Sequence, residues 1–228
     1  MADLILALDL PSAGEALRLL DRVPEARWVK VGPILFTREG PALVRTLRSR
    51  GLAVFLDLKW HDIPNTVAGA VSAAVEEGVA LATVHTLGGR AMMEAAARAA
   101  DGRVALVGVT VLTSHDPAGF AGIVGRPVPD LEAEVVRLAR SAGEAGLSGV
   151  VCSPHEIRAV RGVLPGGAWV VVPGIRRAED AAGDQVRTAD PGAAAAAGAT
   201  HLVVGRPVLQ AADPAGAFRA MAAEAGGA

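Results

Sequence analysis

The feature that most constrains the fold is a regular alternation of short, almost continuously apolar runs with longer Ala- and Leu-rich stretches of helical character. This alternation is typical of βα units around a parallel sheet. Polar residues rarely interrupt the apolar runs, which indicates strands buried on both faces. We therefore predict an α/β fold, a single closed (β/α)8 barrel of the TIM type. The predicted strands span residues 4–8, 28–31, 54–58, 82–85, 104–109, 149–151, 169–172 and 201–204.

Helices are predicted between these strands, and several begin with Ser, Asp or Pro and end near Gly, as helix caps usually do. The connection 173–193 is long, polar and Gly-containing for a βα loop. Long loops of this kind often close over an active site, so we expect a lid here. The predicted helices span residues 12–22, 41–50, 65–77, 90–100, 130–145, 154–163, 193–197 and 214–225.

A chain of 228 residues has the usual size of one such barrel, so we expect a single domain over residues 1–228. Basic and acidic residues nearly balance, at 22 and 24, and neither sign is concentrated in a run. This balance favours a small-molecule partner over nucleic acid or a membrane surface. The lone Cys152 cannot form an intramolecular disulfide, and neither a membrane-spanning run nor a secretory signal is recognisable. We expect a cytoplasmic protein.

Polar side chains follow the predicted strands. The carboxyl ends of barrel strands meet at one rim, where barrel enzymes place their active sites. We therefore predict a site at this rim, although some polarity is expected wherever strands meet loops. In chain order the candidates are Asp9, Lys30, Asp57, Lys59, Asp62, His85, Thr113, Ser114, Ser153, Pro173, Gly174, Arg176, Gly205 and Arg206.

The run Asp57-x-Lys59-x-x-Asp62 is the strongest chemical signal in this set. Residues 57 and 59 of a strand point to the same side, so both should enter the barrel mouth. An ammonium between carboxylates keeps its proton, which it can donate, and its charge can stabilise a carbanion. Lys30 is the only other lysine of the chain, and we expect it to complete an alternating Lys30-Asp57-Lys59-Asp62 array. A surface cluster of ion pairs is the alternative interpretation.

The last predicted strand runs into Gly205 and Arg206. Glycine permits close approach of the backbone, arginine offers a bidentate fork, and a following helix start supplies unpaired N–H groups. The loops after the seventh and eighth strands of a barrel commonly hold a phosphate. We therefore predict a phosphate site here, with Arg176 as a second fork. A turn that carries a surface arginine is the alternative.

Taken together, six stretches of the chain resemble the orotidine 5′-phosphate decarboxylase family. The likeness spans residues 4–209 in the right order, and its most specific part is the run D-x-K-x-x-D-I-P-N-T combined with Lys30. The stretches are LALD ending at Asp9, VKVG around Lys30, DLKWHDIPNT from Asp57 to Thr66, VLTS from Val111 to Ser114, VPGIR ending at Arg176 and VGRP ending at Pro207.

This resemblance implies the decarboxylation of orotidine 5′-phosphate to UMP without a metal or an organic cofactor. Lys59 would protonate C6 of the pyrimidine, and Asp57 would lie beside the departing carboxylate. Because the family shares its site across a homodimer, Asp62 and Thr66 would reach into the partner's pocket. The other substrate contacts would come from Asp9 and Lys30 at the ribose, from Thr113 near the pyrimidine, from Arg176, Gln185, Gly205 and Arg206 at the phosphate, and from Pro173.

Three other functions share some of these features. Magnesium-dependent 3-keto-L-gulonate 6-phosphate decarboxylases and hexulose-phosphate synthases also carry a D-x-K-x-x-D run, but they place an acid where this chain has Lys30. A Schiff-base aldolase would use Lys59 as its nucleophile, which flanking carboxylates oppose because they keep the amine protonated. A non-catalytic barrel that binds nucleotide phosphates is the alternative outside the enzymes.

Overall fold

The computed structural model of the protein describes residues 2–177 and 188–226. Over these residues eight parallel strands close into a barrel in which each strand pairs with its neighbours in chain order and the last pairs with the first. The predicted (β/α)8 fold is confirmed. The strands are β1 (Asp3–Ala7), β2 (Trp28–Val31), β3 (Ala53–Trp60), β4 (Leu81–His85), β5 (Ala105–Val109), β6 (Gly149–Val151), β7 (Trp169–Val172) and β8 (His201–Val204).

The strands are apolar on both faces because each face packs against a separate part of the core. One cluster fills the barrel interior, with Ile5, Phe55, Leu81 and Val107 at most 2% exposed. A larger cluster lies between the outer faces of the strands and the surrounding helices. The interior cluster forms an apolar floor beneath the carboxyl ends of the strands.

Helices cover the outside of the barrel, and several are capped at their amino ends by a Ser or Asp side chain. Ser12, Asp116, Asp130, Asp190 and Asp213 each accept a backbone N–H of the first helical turn. None of the helices within the described residues is both long and apolar enough to cross a membrane. The helices are α1 (Ala13–Arg22), α2 (Pro33–Ser49), α3 (Pro64–Glu76), α4 (Gly89–Ala100), α5 (Pro117–Val124), α6 (Leu131–Glu144), α7 (Ile157–Arg161), α8 (Pro191–Ala197), α9 (Arg206–Leu209) and α10 (Pro214–Glu224).

The second helix departs from its prediction. We expected it to begin at residue 41, because a proline normally starts a helix or ends one. Instead α2 begins at Pro33 and continues to Ser49 through a kink at Gly40, which has a φ of 61° and a ψ of −159°. The kink accommodates Pro41, so the prediction captured only the part of α2 beyond the break.

Four short helical segments also differ from expectation. Helices α5 and α9 were not predicted, since eight and four residues are too few for a clear helical periodicity. A 3-10 helix at Thr86–Gly88 was also missed, and a second one at Pro154–Glu156 replaces the first turn of the helix predicted over 154–163. All four follow the carboxyl ends of strands and so help to shape the rim.

The long connection after β7 is tied together at its two ends. Ile175 forms an isolated bridge with Ala189, and the backbone N–H of Arg176 donates to the carbonyl oxygen of Ala189 at 3.0 Å. Helix α8 then begins at Pro191, two residues before the predicted start. Residues 178–187, and with them the middle of the predicted lid, lie outside the described residues.

Candidate active site

The carboxyl end of β3 leaves regular strand geometry just where the charged motif begins. Leu56 pairs with Ala82 of β4 and Trp60 pairs with Val84, so β3 carries extra residues between these two pairs. Lys59 has a φ of 51°, a left-handed conformation that a lysine rarely adopts. Residues 57 and 59 do come together as predicted, but through a bulge and not through the side-chain alternation of an extended strand.

Both lysines of the chain contact Asp57. Lys59 Nζ lies 2.9 Å from each carboxylate oxygen of Asp57, and Lys30 Nζ lies 3.8 Å from Asp57 Oδ2. Lys30 Nζ also donates to Asp9 Oδ1 at 2.8 Å. Lys30 and Asp57 are only 9% and 8% exposed. Burial weakens the screening of these charges by water, so each charge depends on its oppositely charged neighbours.

Asp62 does not belong to this cluster within a single chain. Strand β3 ends at Trp60 and α3 begins at Pro64, which leaves Asp62 in an exposed turn. Its carboxylate accepts the backbone N–H of Ile63 at 2.6 Å. The predicted Lys30-Asp57-Lys59-Asp62 array is therefore wrong for one chain, where Asp9 supplies the second carboxylate.

Thr83 of β4 completes the cluster, although no sequence motif indicated it. Its side chain is fully buried. The hydroxyl accepts the backbone N–H of Lys59 at 2.8 Å and donates to Asp57 Oδ1 at 3.0 Å. The only available signal was a hydroxyl in an otherwise apolar stretch of strand, which many barrels contain for purely structural reasons.

The cluster lines a cavity of about 500 Å³ at the carboxyl ends of the strands. This volume lies within the usual range for a site that encloses a small ligand. Asp62 and Thr66 are exposed and do not line the cavity, and Gln185 lies outside the described residues. The predicted site residues that line it are Asp9, Lys30, Asp57, Lys59, Thr113, Pro173, Gly174, Arg176, Gly205 and Arg206.

The walls of the cavity differ in character around the rim. Arg176 and Arg206 bring guanidinium groups from the ends of β7 and β8, and Gly205 lies at the start of α9. Val109 and Val151 contribute apolar surface from β5 and β6. A ligand that fills this cavity would therefore meet two arginines, an apolar wall and the lysine–aspartate cluster.

Two other rim residues have structural partners. Burial first, and then the charges of His61, Lys59 and His115, lower the pKa of His85 to about 4, so its ring is neutral at neutral pH. His85 Nδ1 accepts the N–H of Leu87 at 3.3 Å, and the ring stacks on His61 with centroids 5.5 Å apart. Ser153 and Glu156 form a capping box around the 3-10 helix that follows β6. His85 and Ser153 therefore each stabilise the loop that follows their strand.

Comparison with known proteins identifies the family. The model of the "Orotidine 5'-phosphate decarboxylase / HUMPS family" matches residues 2–221. A protein of Halorhodospira halophila described as orotidine 5′-phosphate decarboxylase is 54% identical over 225 residues, which cover 97% of this chain and 94% of that protein. One from Anaeromyxobacter sp. (strain K) with the same description is 52% identical over 220 residues, or 95% of each chain.

A solved structure agrees with the sequence comparisons. The crystal structure of orotidine 5′-phosphate decarboxylase from Lactobacillus acidophilus has a TM-score of 0.87 to this chain at 32% identity and covers 99% of both chains. Fold and sequence therefore agree over almost the whole length. The chain belongs to the orotidine 5′-phosphate decarboxylase / HUMPS family.

Proposed function

We propose that this protein decarboxylates orotidine 5′-phosphate to UMP and CO₂, the step that completes UMP in de novo pyrimidine biosynthesis. The observation that carries the proposal is the ammonium of Lys59, held 2.9 Å from both oxygens of Asp57 in a cavity that Arg176 and Arg206 also line. We also propose a cytoplasmic location, because a charged nucleotide crosses a lipid bilayer only at a high cost in desolvation.

Lys59 is the proton donor in this proposal. Departure of CO₂ breaks the bond between C6 and the carboxylate carbon and leaves the electron pair on C6. The nearby ammonium stabilises this negative charge and then transfers a proton to C6, after which the neutral amine regains a proton from water. Asp57 holds the ammonium in place and sets a negative charge beside the carboxylate that must leave. Repulsion between these two carboxylates is relieved as CO₂ departs.

The rest of the cavity binds the parts of the substrate that do not react. Asp9 and Lys30 hold ribose hydroxyls, Thr113 lies near the pyrimidine, and Pro173 also contacts the substrate. Arg176, Gly205 and Arg206 bind the phosphate, together with Gln185 from the connection after β7. Phosphate binding far from C6 can favour closure of that connection, and the binding energy then serves to order the reacting groups.

The reaction proceeds without a metal or an organic cofactor in this proposal. The ammonium of Lys30 lies between Asp9 and Asp57, 2.8 Å from one carboxylate and 3.8 Å from the other. A fixed cation at this place repels a divalent metal ion that would otherwise use the same carboxylates. The magnesium-dependent enzymes that share the D-x-K-x-x-D run carry an acid at the position of Lys30.

One assay tests this function directly. Protein exhaustively treated with a chelator should consume orotidine 5′-phosphate, followed by its absorbance, at the rate of the untreated protein. Activity that disappears and returns with Mg²⁺ would instead support the magnesium-dependent class. Trapping of a substrate adduct by borohydride would support a Schiff base at Lys59, and UMP binding without turnover would support a non-catalytic barrel.

We further propose that two chains assemble as a homodimer in which Asp62 and Thr66 complete the partner's site. Both residues are exposed close to the motif that carries Lys59, yet neither lines the cavity of its own chain. Ile63, between them in sequence, is 66% exposed, and Ile34 is 62% exposed. Large apolar side chains at this exposure are suited to burial against another chain.

Mixing two inactive variants tests the shared site. Lys59→Ala and Asp62→Ala homodimers should each be almost inactive. After subunits exchange at random, one site of each heterodimer combines an intact Lys59 with an intact Asp62 from the partner, and about one quarter of all sites should recover. No recovery, in heterodimers shown to form, would place Asp62 in the site of its own chain, and an Asp62→Ala homodimer as active as wild type would place it outside any site.

A further inference from the structure

We propose that Thr83 is a positioning residue for the decarboxylation and that its hydroxyl sets the placement of Lys59 relative to Asp57. This inference rests on the proposed function, because it concerns the geometry of the proton donor. Thr83 lies on β4, outside the charged motif itself.

The hydroxyl of Thr83 first provides an acceptor for the backbone of the bulge in β3. In a regular parallel ladder a backbone N–H at this position would donate to a carbonyl of the neighbouring strand. Because the register slips between Leu56 and Trp60, the N–H of Lys59 donates to Thr83 Oγ1 at 2.8 Å instead. This bond supports Lys59 in the left-handed conformation, φ 51°, that departs from the strand.

The hydroxyl of Thr83 also holds the carboxylate of Asp57. A hydroxyl has one hydrogen, and that of Thr83 is directed at Asp57 Oδ1, 3.0 Å away. The same oxygen of Asp57 also lies 2.9 Å from Lys59 Nζ. Thr83 thus joins the backbone of the proposed proton donor to the carboxylate that holds its ammonium. Without the hydroxyl, both the Lys59 backbone and the Asp57 carboxylate would gain freedom to move.

This arrangement predicts a loss in the chemical step more than in substrate binding. Thr83 does not line the cavity, so it has no direct contact to offer a ligand. Its influence passes through Lys59 and Asp57, whose alignment matters most when the proton is transferred. Misplacement of a reacting group by about 1 Å can lower the rate roughly 100-fold.

Thr86 provides a matched control. Its side chain is also buried, at 3% exposed, and its hydroxyl donates to the carbonyl oxygen of Val109 at 2.8 Å. That bond joins the segment after β4 to β5 and involves neither Lys59 nor Asp57. Replacing either threonine with valine removes one buried hydrogen-bonding hydroxyl while it conserves the shape of the side chain.

The experiment compares Thr83→Val, Thr83→Ser and Thr86→Val by kcat and KM for orotidine 5′-phosphate and by the free energy of unfolding. Thr83→Val should lower kcat about 10- to 100-fold and leave KM within about twofold, whereas Thr86→Val should keep kcat near that of wild type. Thr83→Ser retains the hydroxyl and should restore kcat to within about threefold. Thr83→Val should be destabilised more than Thr86→Val, because it removes two hydrogen bonds and Thr86→Val removes one.

Several outcomes would overturn the role of Thr83. These are a wild-type kcat in Thr83→Val, an equal loss of kcat in Thr86→Val, or a failure of serine to restore it. Should Thr83→Val not fold, the comparison of Thr83→Ala with Thr83→Ser decides the question in the same way. Failure of the wild-type protein to decarboxylate orotidine 5′-phosphate would overturn the proposed function itself. A defect confined to the Thr83 variants would leave the proposed function intact.

Discussion

The two ends of the barrel carry opposite kinds of side chains. At the amino end, Trp28, Trp169 and His201 begin β2, β7 and β8, and their rings pack on one another. The Trp169 and His201 rings stack with centroids 4.3 Å apart. At the carboxyl end the same strands open into a cavity whose buried groups include Lys30 and Asp57.

The difference shows how one set of strands can support both stability and function. Packed rings at the amino end remove apolar surface from water and add favourable ring–ring contacts. Buried charges at the carboxyl end contribute little net stability, since desolvation offsets much of their mutual attraction. We therefore expect substitutions at the carboxyl end to alter catalysis and those at the amino end to alter stability, as is general for barrels of this kind.

The largest effect should come from Lys59→Arg. The substitution keeps the positive charge but replaces a proton donor with a guanidinium that does not release its proton, so kcat should fall about 10²- to 10⁴-fold. The free energy of unfolding should change little. Steady-state kinetics and chemical denaturation measure the two quantities, with the exposed Arg45→Lys as a control for the exchange of cations. Turnover like that of wild type would remove Lys59 from the mechanism.

Arg206→Ala should have the next largest effect. Loss of a charged contact to the phosphate should lower kcat/KM by about 3 kcal/mol, which is more than 100-fold. Arg50→Ala removes a guanidinium from an exposed pair with Asp21 and serves as the control. An unchanged kcat/KM in Arg206→Ala would contradict the phosphate site.

Trp169→Ala tests the amino end. The substitution removes a ring that contacts both Trp28 and His201, and we expect the free energy of unfolding to fall by about 2 kcal/mol. The kcat of the folded fraction should stay within about twofold of wild type, because the cavity is at the other end. A loss of kcat much larger than the unfolded fraction explains would show that the two ends are coupled.

The smallest effect is a dependence of stability on pH through His201. Burial lowers the pKa of His201 below its usual 6.5, although Asp3 acts in the opposite direction. The unfolded chain therefore binds this proton more readily than the folded one. The contribution of His201 to stability is fully present above pH 6.5 and is lost as the pH falls from there through the lower pKa of the folded state.

Urea denaturation across this pH range measures the effect. One extra proton in the unfolded state gives a slope of at most about 1.4 kcal/mol per pH unit, and His201→Gln should reduce the slope of wild type. His85 also has a lowered pKa and contributes in the same direction, so some slope should remain in the variant. An identical slope in His201→Gln would show that His201 titrates alike in both states.

Much of this molecule could be predicted from local patterns. The strands at 28–31, 149–151, 169–172 and 201–204 have the predicted bounds, because a strand buried on both faces is almost entirely apolar. Most rim residues also line the cavity as expected, since strand ends follow directly from strand positions. Helices α5 and α9 were missed because short helices depend on their surroundings more than on their own periodicity.

The amino-acid sequence alone determined the order of strands and helices along the chain, the polar rim and the presence of two lysines near acidic residues. Only the tertiary structure decided that Asp9, and not Asp62, joins Lys30, Asp57 and Lys59 within one chain. It also decided that Thr83 contacts both Lys59 and Asp57. The reason is that apolar patterning acts along the chain, whereas these contacts depend on the register between neighbouring strands and on a bulge that no local pattern encodes.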